Sequence, residues 1–132
     1  MAEGMKLTKS EEQMMDIFWS ADDSLTSVDI VGMKVRDTWG NGLVHNIIRS
    51  LLKKGLLEEC GIERYKTQYA RKLRPAMTKE EYIAKMMLSK TDGKESRFKV
   101  LLALAKEEEN VDEMISQLEG VIQKLREDAA AD

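Results

Sequence analysis

The chain contains one cysteine, one proline and one histidine, and each scarcity removes a class of function. A lone Cys60 can form neither an internal disulfide nor a cysteine-rich metal site. His45 has no clustered Cys, Asp or Glu beside it in sequence and no nucleophile to activate. A surface or phosphate-contacting role therefore fits it better than metal binding or catalysis. The longest apolar run covers only residues 100–105, far short of the roughly 20 residues that span a bilayer. The N-terminus carries no apolar signal-peptide core. Glycine-rich phosphate loops, paired carboxylates suited to acid–base chemistry and internal repeats are missing as well. These gaps describe a cytoplasmic protein that is not an enzyme and uses neither cofactor nor metal.

What remains is a pattern of short amphipathic helices. At 132 residues, with 42% apolar and 34% charged side chains, the chain has room for one domain, or one small domain with an appendage. Thr8-Lys9-Ser10-Glu11 forms a capping box that opens a first helix, with Met14, Met15, Phe18 and Trp19 on its apolar side. A polar break at residues 20–24 ends it. Thr26 caps a second helix over residues 26–34, with Asp29 at its third helical position and Ile30, Val31 and Met33 facing inward. The stretch Trp39-Gly40-Asn41-Gly42 is the expected turn into a third helix, 42–54, which stops at Gly55. After it come Leu56 and Leu57, a turn at Cys60-Gly61-Ile62, and a second strand-like run, 64–69, that places Tyr65 and Tyr69 on one face. Two helices followed by a two-stranded ribbon is the chain order of a winged helix-turn-helix. In that fold the second helix enters the major groove and the ribbon meets flanking phosphates.

The third helix carries the sharpest pattern. Val44, Ile47, Ile48 and Leu51 fall at i, i+3, i+4 and i+7, a core-facing stripe. Asn46, Arg49, Ser50 and Lys53 repeat that spacing two residues later, on the other side. Arg pairs with guanine and Asn with adenine through two hydrogen bonds, and Lys suits a phosphate or guanine. The net charge is −3, but the charge is unevenly spread. Between residues 49 and 74 the basic residues are Arg49, Lys53, Lys54, Arg64, Lys66, Arg71, Lys72 and Arg74, against Glu58, Glu59 and Glu63. From residue 76 onward acids outnumber bases. Basic charge thus gathers where a groove helix and a wing near 58–70 would meet phosphates. The expected DNA-binding set is Asn41, Gly42, Leu43, His45, Asn46, Arg49, Ser50, Lys53, Lys54, Arg64 and Lys66, with base discrimination on Asn46 and Arg49.

Beyond Pro75 the character changes. Thr78-Lys79-Glu80-Glu81 is another capping box, opening a helix with Tyr82, Ile83, Met86 and Met87, broken at Thr91-Asp92-Gly93. A fifth helix holds Phe98, Leu101 and Leu102. A sixth begins near Asn110 and sets Val111, Ile115, Leu118, Ile122 and Leu125 at alternating steps of four and three, widened by Met114 and Val121. Three short helices cannot bury that much apolar surface alone. A second copy is the simplest cover, and a two-fold dimer would match two groove helices to a palindromic operator. The alanine-rich end, 128–132, reads as frayed. The organisation expected is a mostly α (α+β) chain, with a winged-helix DNA-binding domain over residues 1–75 and a three-helix dimerisation domain over 76–132.

Several segments resemble the BlaI/MecI/CopY family of bacterial penicillinase-type repressors over nearly the whole chain. Leu7-Thr8, Glu11 and the run Met14-Met15-Asp16-Ile17-Phe18-Trp19 resemble the family's opening helix; Leu25-Thr26-Ser27-Val28-Asp29-Ile30-Val31 resembles its second. The stretch from Val44-His45-Asn46 through Lys53-Lys54-Gly55-Leu56 resembles its recognition helix. The resemblance implies a dimeric winged-helix repressor with double-stranded DNA and a second copy of itself as partners. For antibiotic-responsive members it also implies a membrane sensor-protease; another inducer is equally open. The sequence departs from the family in four places. The family's Thr-Thr pair at the start of the recognition helix is Gly42-Leu43 here, and an arginine common before its last leucine is Ser50. The Asn-Phe bond cleaved in antibiotic-responsive members corresponds to Ala103-Leu104, and the C-terminal cysteine cluster of copper-responsive members is lacking. These departures keep a second reading in view, a protein-interaction module that retains the fold and has lost operator binding.

Overall fold

The structure, a computed structural model, describes residues 6–33 and 38–131. Its elements follow one another as α1 (Lys9–Ser20), α2 (Ser27–Met33), α3 (Asn41–Lys54), β1 (Leu57–Tyr65), β2 (Gln68–Pro75), α4 (Lys79–Lys90), α5 (Gly93–Lys106) and α6 (Val111–Ala131). This is the expected mostly α winged helix, with one small antiparallel sheet of two strands.

Local chemistry starts and stops each helix. Thr8 caps α1 through its hydroxyl, which accepts from the Glu11 N–H at 3.2 Å, while the Glu11 carboxylate accepts from the Thr8 N–H at 2.8 Å. The same reciprocal pair opens α2 with Thr26 and Asp29 at 2.9 and 3.1 Å, and α4 with Thr78 and Glu81, both at 3.1 Å. The expected end of α2 at residue 34 lies outside the described residues. Helix α3 starts one residue before the expected 42, because Gly40 takes the extended N-cap conformation and its carbonyl accepts from the Val44 N–H at 3.0 Å. Asn41 and Gly42 are therefore helical and not part of the turn. It ends at Gly55, whose left-handed backbone (φ 80°) returns its N–H to the carbonyls of Leu51 and Leu52. At the other end of the chain α6 continues to Ala131, so residues 128–131 are helical and not frayed.

The ribbon differs from the expected one in register. β1 and β2 pair from Leu57 opposite Pro75 to Tyr65 opposite Gln68, and the turn lies at Lys66-Thr67. Cys60-Gly61-Ile62 lies within β1, with a bulge between Glu59 and Gly61 where one strand carries an extra residue. A glycine in a strand marks a bulge as readily as a turn. The actual turn places Lys66 at φ 53° with no glycine, asparagine or proline to announce it. Tyr65 and Tyr69 consequently sit on different strands.

The core gathers Met14, Met15 and Phe18 of α1, Ile30 of α2, Val44, Ile47, Ile48 and Leu51 of α3, and Leu56, Leu57 and Leu73 at the ribbon's base. Burying side chains of this size stabilises by about 1.5–3 kcal/mol each. Leu25 and Leu73 exchange backbone hydrogen bonds of 2.9 and 2.8 Å, a one-residue third strand that binds the ribbon's base to the helices. Helix α4 belongs to this body as well. Tyr82 is buried, its ring lies 5.6 Å from that of Trp19, and the Trp19 indole N–H donates to the Met77 carbonyl at 3.0 Å. The chain accordingly divides into compact units Met1–Lys90 and Thr91–Asp132, with the break after α4 where the sequence suggested one after Pro75. In the second unit neither α5 nor α6 has a buried side chain.

Among the described residues two polar side chains are buried, Thr26 and Glu11, and of these Glu11 carries a charge. Glu11 is 4% exposed. Its carboxylate accepts from Lys54 Nζ at 2.6 Å and from the Ser50 hydroxyl at 2.5 Å, besides the Thr8 N–H. Burial alone would raise its pKa. The hydrogen bonds from Lys54, Ser50 and Thr8, with the charge of Lys54, outweigh that and hold it at about 2. A folded-state pKa below the unfolded one stabilises the fold above the ordinary carboxylate range, and the benefit drains away as pH falls from 4.5 toward 2. Glu11→Gln should therefore cost roughly 2–3 kcal/mol of stability at neutral pH and flatten the acid limb, as read by urea unfolding at successive pH values. An unchanged acid limb would place that stabilisation elsewhere.

Candidate nucleic-acid interface

Helix α3 presents two unlike sides. Val44, Ile47, Ile48 and Leu51 are buried, and Asn46, Arg49 and Lys53 are exposed opposite them. These three side chains make no hydrogen bond or ion pair among the described residues, and their amide, guanidinium and ammonium groups point outward unengaged. His45 is exposed on the flank. Asn41, Gly42 and Leu43 are exposed in the first turn, Leu43 to 42%.

Ser50 and Lys54 stand apart from that group. Both are only partly exposed, and both turn toward α1, where they hold Glu11; Lys54 Nζ also donates to the Lys6 carbonyl at 3.0 Å. The spacing within α3 suggested an outward position for Ser50, and Lys54 was expected among the phosphate contacts. Their partners lie 39 and 43 residues away in sequence, where no periodicity reveals them.

The ribbon sorts its charges by position. Near its base Arg74 pairs with Glu58 at 2.9 Å and Arg71 pairs with Glu59. Near its tip Arg64 and Lys66 are exposed and have no carboxylate partner among the described residues. The Arg64 guanidinium donates to the Lys66 carbonyl at 2.9 Å and lies 5.9 Å from the centre of the Tyr69 ring, opposite it in the pairing. Of the basic residues between 49 and 74, Arg49, Lys53, Arg64, Lys66 and Lys72 remain without an ion pair among the described residues.

Tyr65, just before the turn, binds the tip to α2. Its hydroxyl lies 2.9 Å from Thr26 Oγ1, 3.3 Å from Asp29 Oδ1 and 3.1 Å from Glu63 Oε2. The Thr26 contact pulls the phenol's pKa down, but desolvation and the Glu63 and Asp29 carboxylates outweigh it, leaving the group above its ordinary value. The sequence contains one clue to this contact. Leu57 to Tyr65 is long enough for a full strand once Gly61 is allowed to be a bulge. Cys60 is an exposed free thiol in mid-strand, its Sγ 3.5 Å from the Lys72 carbonyl.

In the second unit the expected dimerisation residues are accessible. Phe98, Leu101 and Leu102 of α5 and Val111, Ile115, Leu118, Val121, Ile122 and Leu125 of α6 are all at least 42% exposed, and Met114 is partly so. Ala103-Leu104 lies in α5. Among the described residues no helix is long and apolar enough to cross a membrane, and no group of His, Cys, Asp or Glu could hold a metal ion.

The model of one protein family, the penicillinase repressor, matches residues 7–124. A search of curated proteins finds no match to the chain. The family match begins before α1, takes in the groove-type helix and the whole ribbon, and ends within α6. The chain therefore belongs to the penicillinase repressor family, a family of winged-helix DNA-binding transcriptional repressors.

Proposed function

We propose that two copies of this chain act together in the cytoplasm as a repressor. In this reading α3 of each copy enters the major groove of a palindromic operator and the ribbon tips rest on flanking phosphates. The observation that carries it is the exposed, unengaged stripe Asn46, Arg49 and Lys53 on the outer side of α3, followed in the chain by a ribbon whose tip is cationic. Asn46 and Arg49 have the donor and acceptor sets that read adenine and guanine through two hydrogen bonds each. Lys53, Arg64 and Lys66 supply phosphate contacts, which fix register and give affinity without sequence preference. Ser50 and Lys54 act from within, by holding α3 against α1.

The second unit supports the two-copy reading. Val111, Ile115, Leu118, Ile122 and Leu125 recur at steps averaging 3.5 residues, the spacing of a helix seam that buries itself against another helix. All five are exposed in the single chain. An apolar surface of that kind marks an association site, and an isologous contact between identical copies covers it without further parts.

A mobility-shift titration on the protein's own promoter region at two salt concentrations should show a steep salt slope and a preference over random DNA. Shallow binding without preference would favour a pure interaction module. Arg49→Ala should cost about 1–3 kcal/mol on the preferred site and flatten its discrimination; equal losses on random DNA would make Arg49 a phosphate contact. Arg64→Ala with Lys66→Ala should reduce the salt slope by up to about two units, and an unchanged slope would remove the ribbon from the interface. Leu118→Asp with Ile122→Asp should yield a monomer in sedimentation that binds a full palindrome far more weakly. A monomeric unaltered protein at micromolar concentration would defeat the two-copy mechanism.

A further inference from the structure

A ribbon of two strands has little to stiffen it in water, so its direction depends on where it is tied down. The base is tied by the Leu25–Leu73 backbone pair. Among the hydrogen bonds and ion pairs of the described residues, only those of Tyr65 join the distal half of the ribbon to a helix. Its chain neighbours are Arg64 and Lys66, the two cations of the tip.

We propose that Tyr65 is a positioning residue: its hydroxyl, held between Thr26 and Asp29 of α2 and Glu63 of its own strand, sets the inclination of the ribbon and thereby presents Arg64 and Lys66 to DNA phosphates. The inference rests on the DNA-binding reading above and adds to it the device that aims the wing. Directionality is built into the contact. The Thr26 hydroxyl accepts the Asp29 N–H and has its own proton free for the phenol oxygen. The phenol has one proton, for Asp29 or Glu63. A ring without the oxygen would fill the same space and exert no directional hold. The cap of α2 does not need the phenol, because Thr26 and Asp29 satisfy each other's backbone N–H groups. The latch can therefore be opened while the helix it grips stays capped.

The test is Tyr65→Phe, made in the unaltered chain and in the Arg64→Ala, Lys66→Ala background, with binding to a duplex selected from random DNA titrated against salt. Thermal unfolding followed by circular dichroism checks that each variant is folded. In the unaltered background Tyr65→Phe should lower affinity about three- to tenfold and reduce the salt slope by about one to two units. In the background lacking both cations it should change neither, because nothing remains at the tip to aim. A slope equal to that of the unaltered chain, or equal losses in both backgrounds, overturns the positioning role, the second result assigning Tyr65 to stability alone. If the unaltered chain selects no duplex, the DNA-binding reading fails and the latch fails with it. Steep, selective binding that ignores Tyr65→Phe defeats the latch alone.

Discussion

The arrangement of the first unit turns on one buried carboxylate. Glu11 completes the N-cap of α1 and, with the same two oxygens, holds Ser50 and Lys54 near the end of α3. A carboxylate so deeply placed would be costly without donors, and three donors from two segments remove that cost. The geometric result matters more than the energy. With Ser50 and Lys54 turned toward α1, α3 cannot rotate about its own axis without breaking a charged contact. Its opposite side, Asn46, Arg49 and Lys53, is thereby fixed outward. The apolar stripe alone would permit some rolling of the helix; the ion pair selects one angle.

The rest of the unit follows from where α3 stops. Gly55 reverses the chain in a left-handed turn, which sends Leu56 and Leu57 directly into the core and starts β1 at the core's edge. The ribbon inherits a buried root and an exposed length. Beyond α4 the logic is inverted: α5 and α6 are well-formed helices in which no side chain is fully buried. One unit buries its apolar side chains within itself, and the other leaves its apolar stripe exposed.

Much of this was legible in the sequence because it is local. Capping boxes at Thr8, Thr26 and Thr78, the i, i+3, i+4, i+7 stripe of α3 and the stop at Gly55 each involve residues within a turn or two of one another. The ribbon's register was not, because Gly61 looks like a turn and serves as a bulge, while the real turn is carried by Lys66 in a conformation that lysine seldom adopts. The membership of α4 in the first unit depends on Trp19 and Tyr82, which meet across more than sixty positions. The inward turn of Ser50, expected on the outer side, and of Lys54 depends likewise on a distant partner, Glu11. Spacing locates a residue on a helix, and only the neighbouring helix decides whether that side is outside.

The unequal pairing of charges along the ribbon has an electrical consequence. At the root, Glu58 and Glu59 cancel Arg74 and Arg71; at the far end Arg64 and Lys66 are uncompensated but for Glu63. Lys72, nearer the root, is also without an ion pair among the described residues, but two of the ribbon's three unpaired cations sit at its far end, which makes the ribbon a lever weighted with charge toward the tip. In the field of a polyanion, a force applied at the end of a lever produces torque as well as attraction. On the proposed DNA-binding reading, that torque would act about a Debye length from the duplex and would bring the ribbon tip in first.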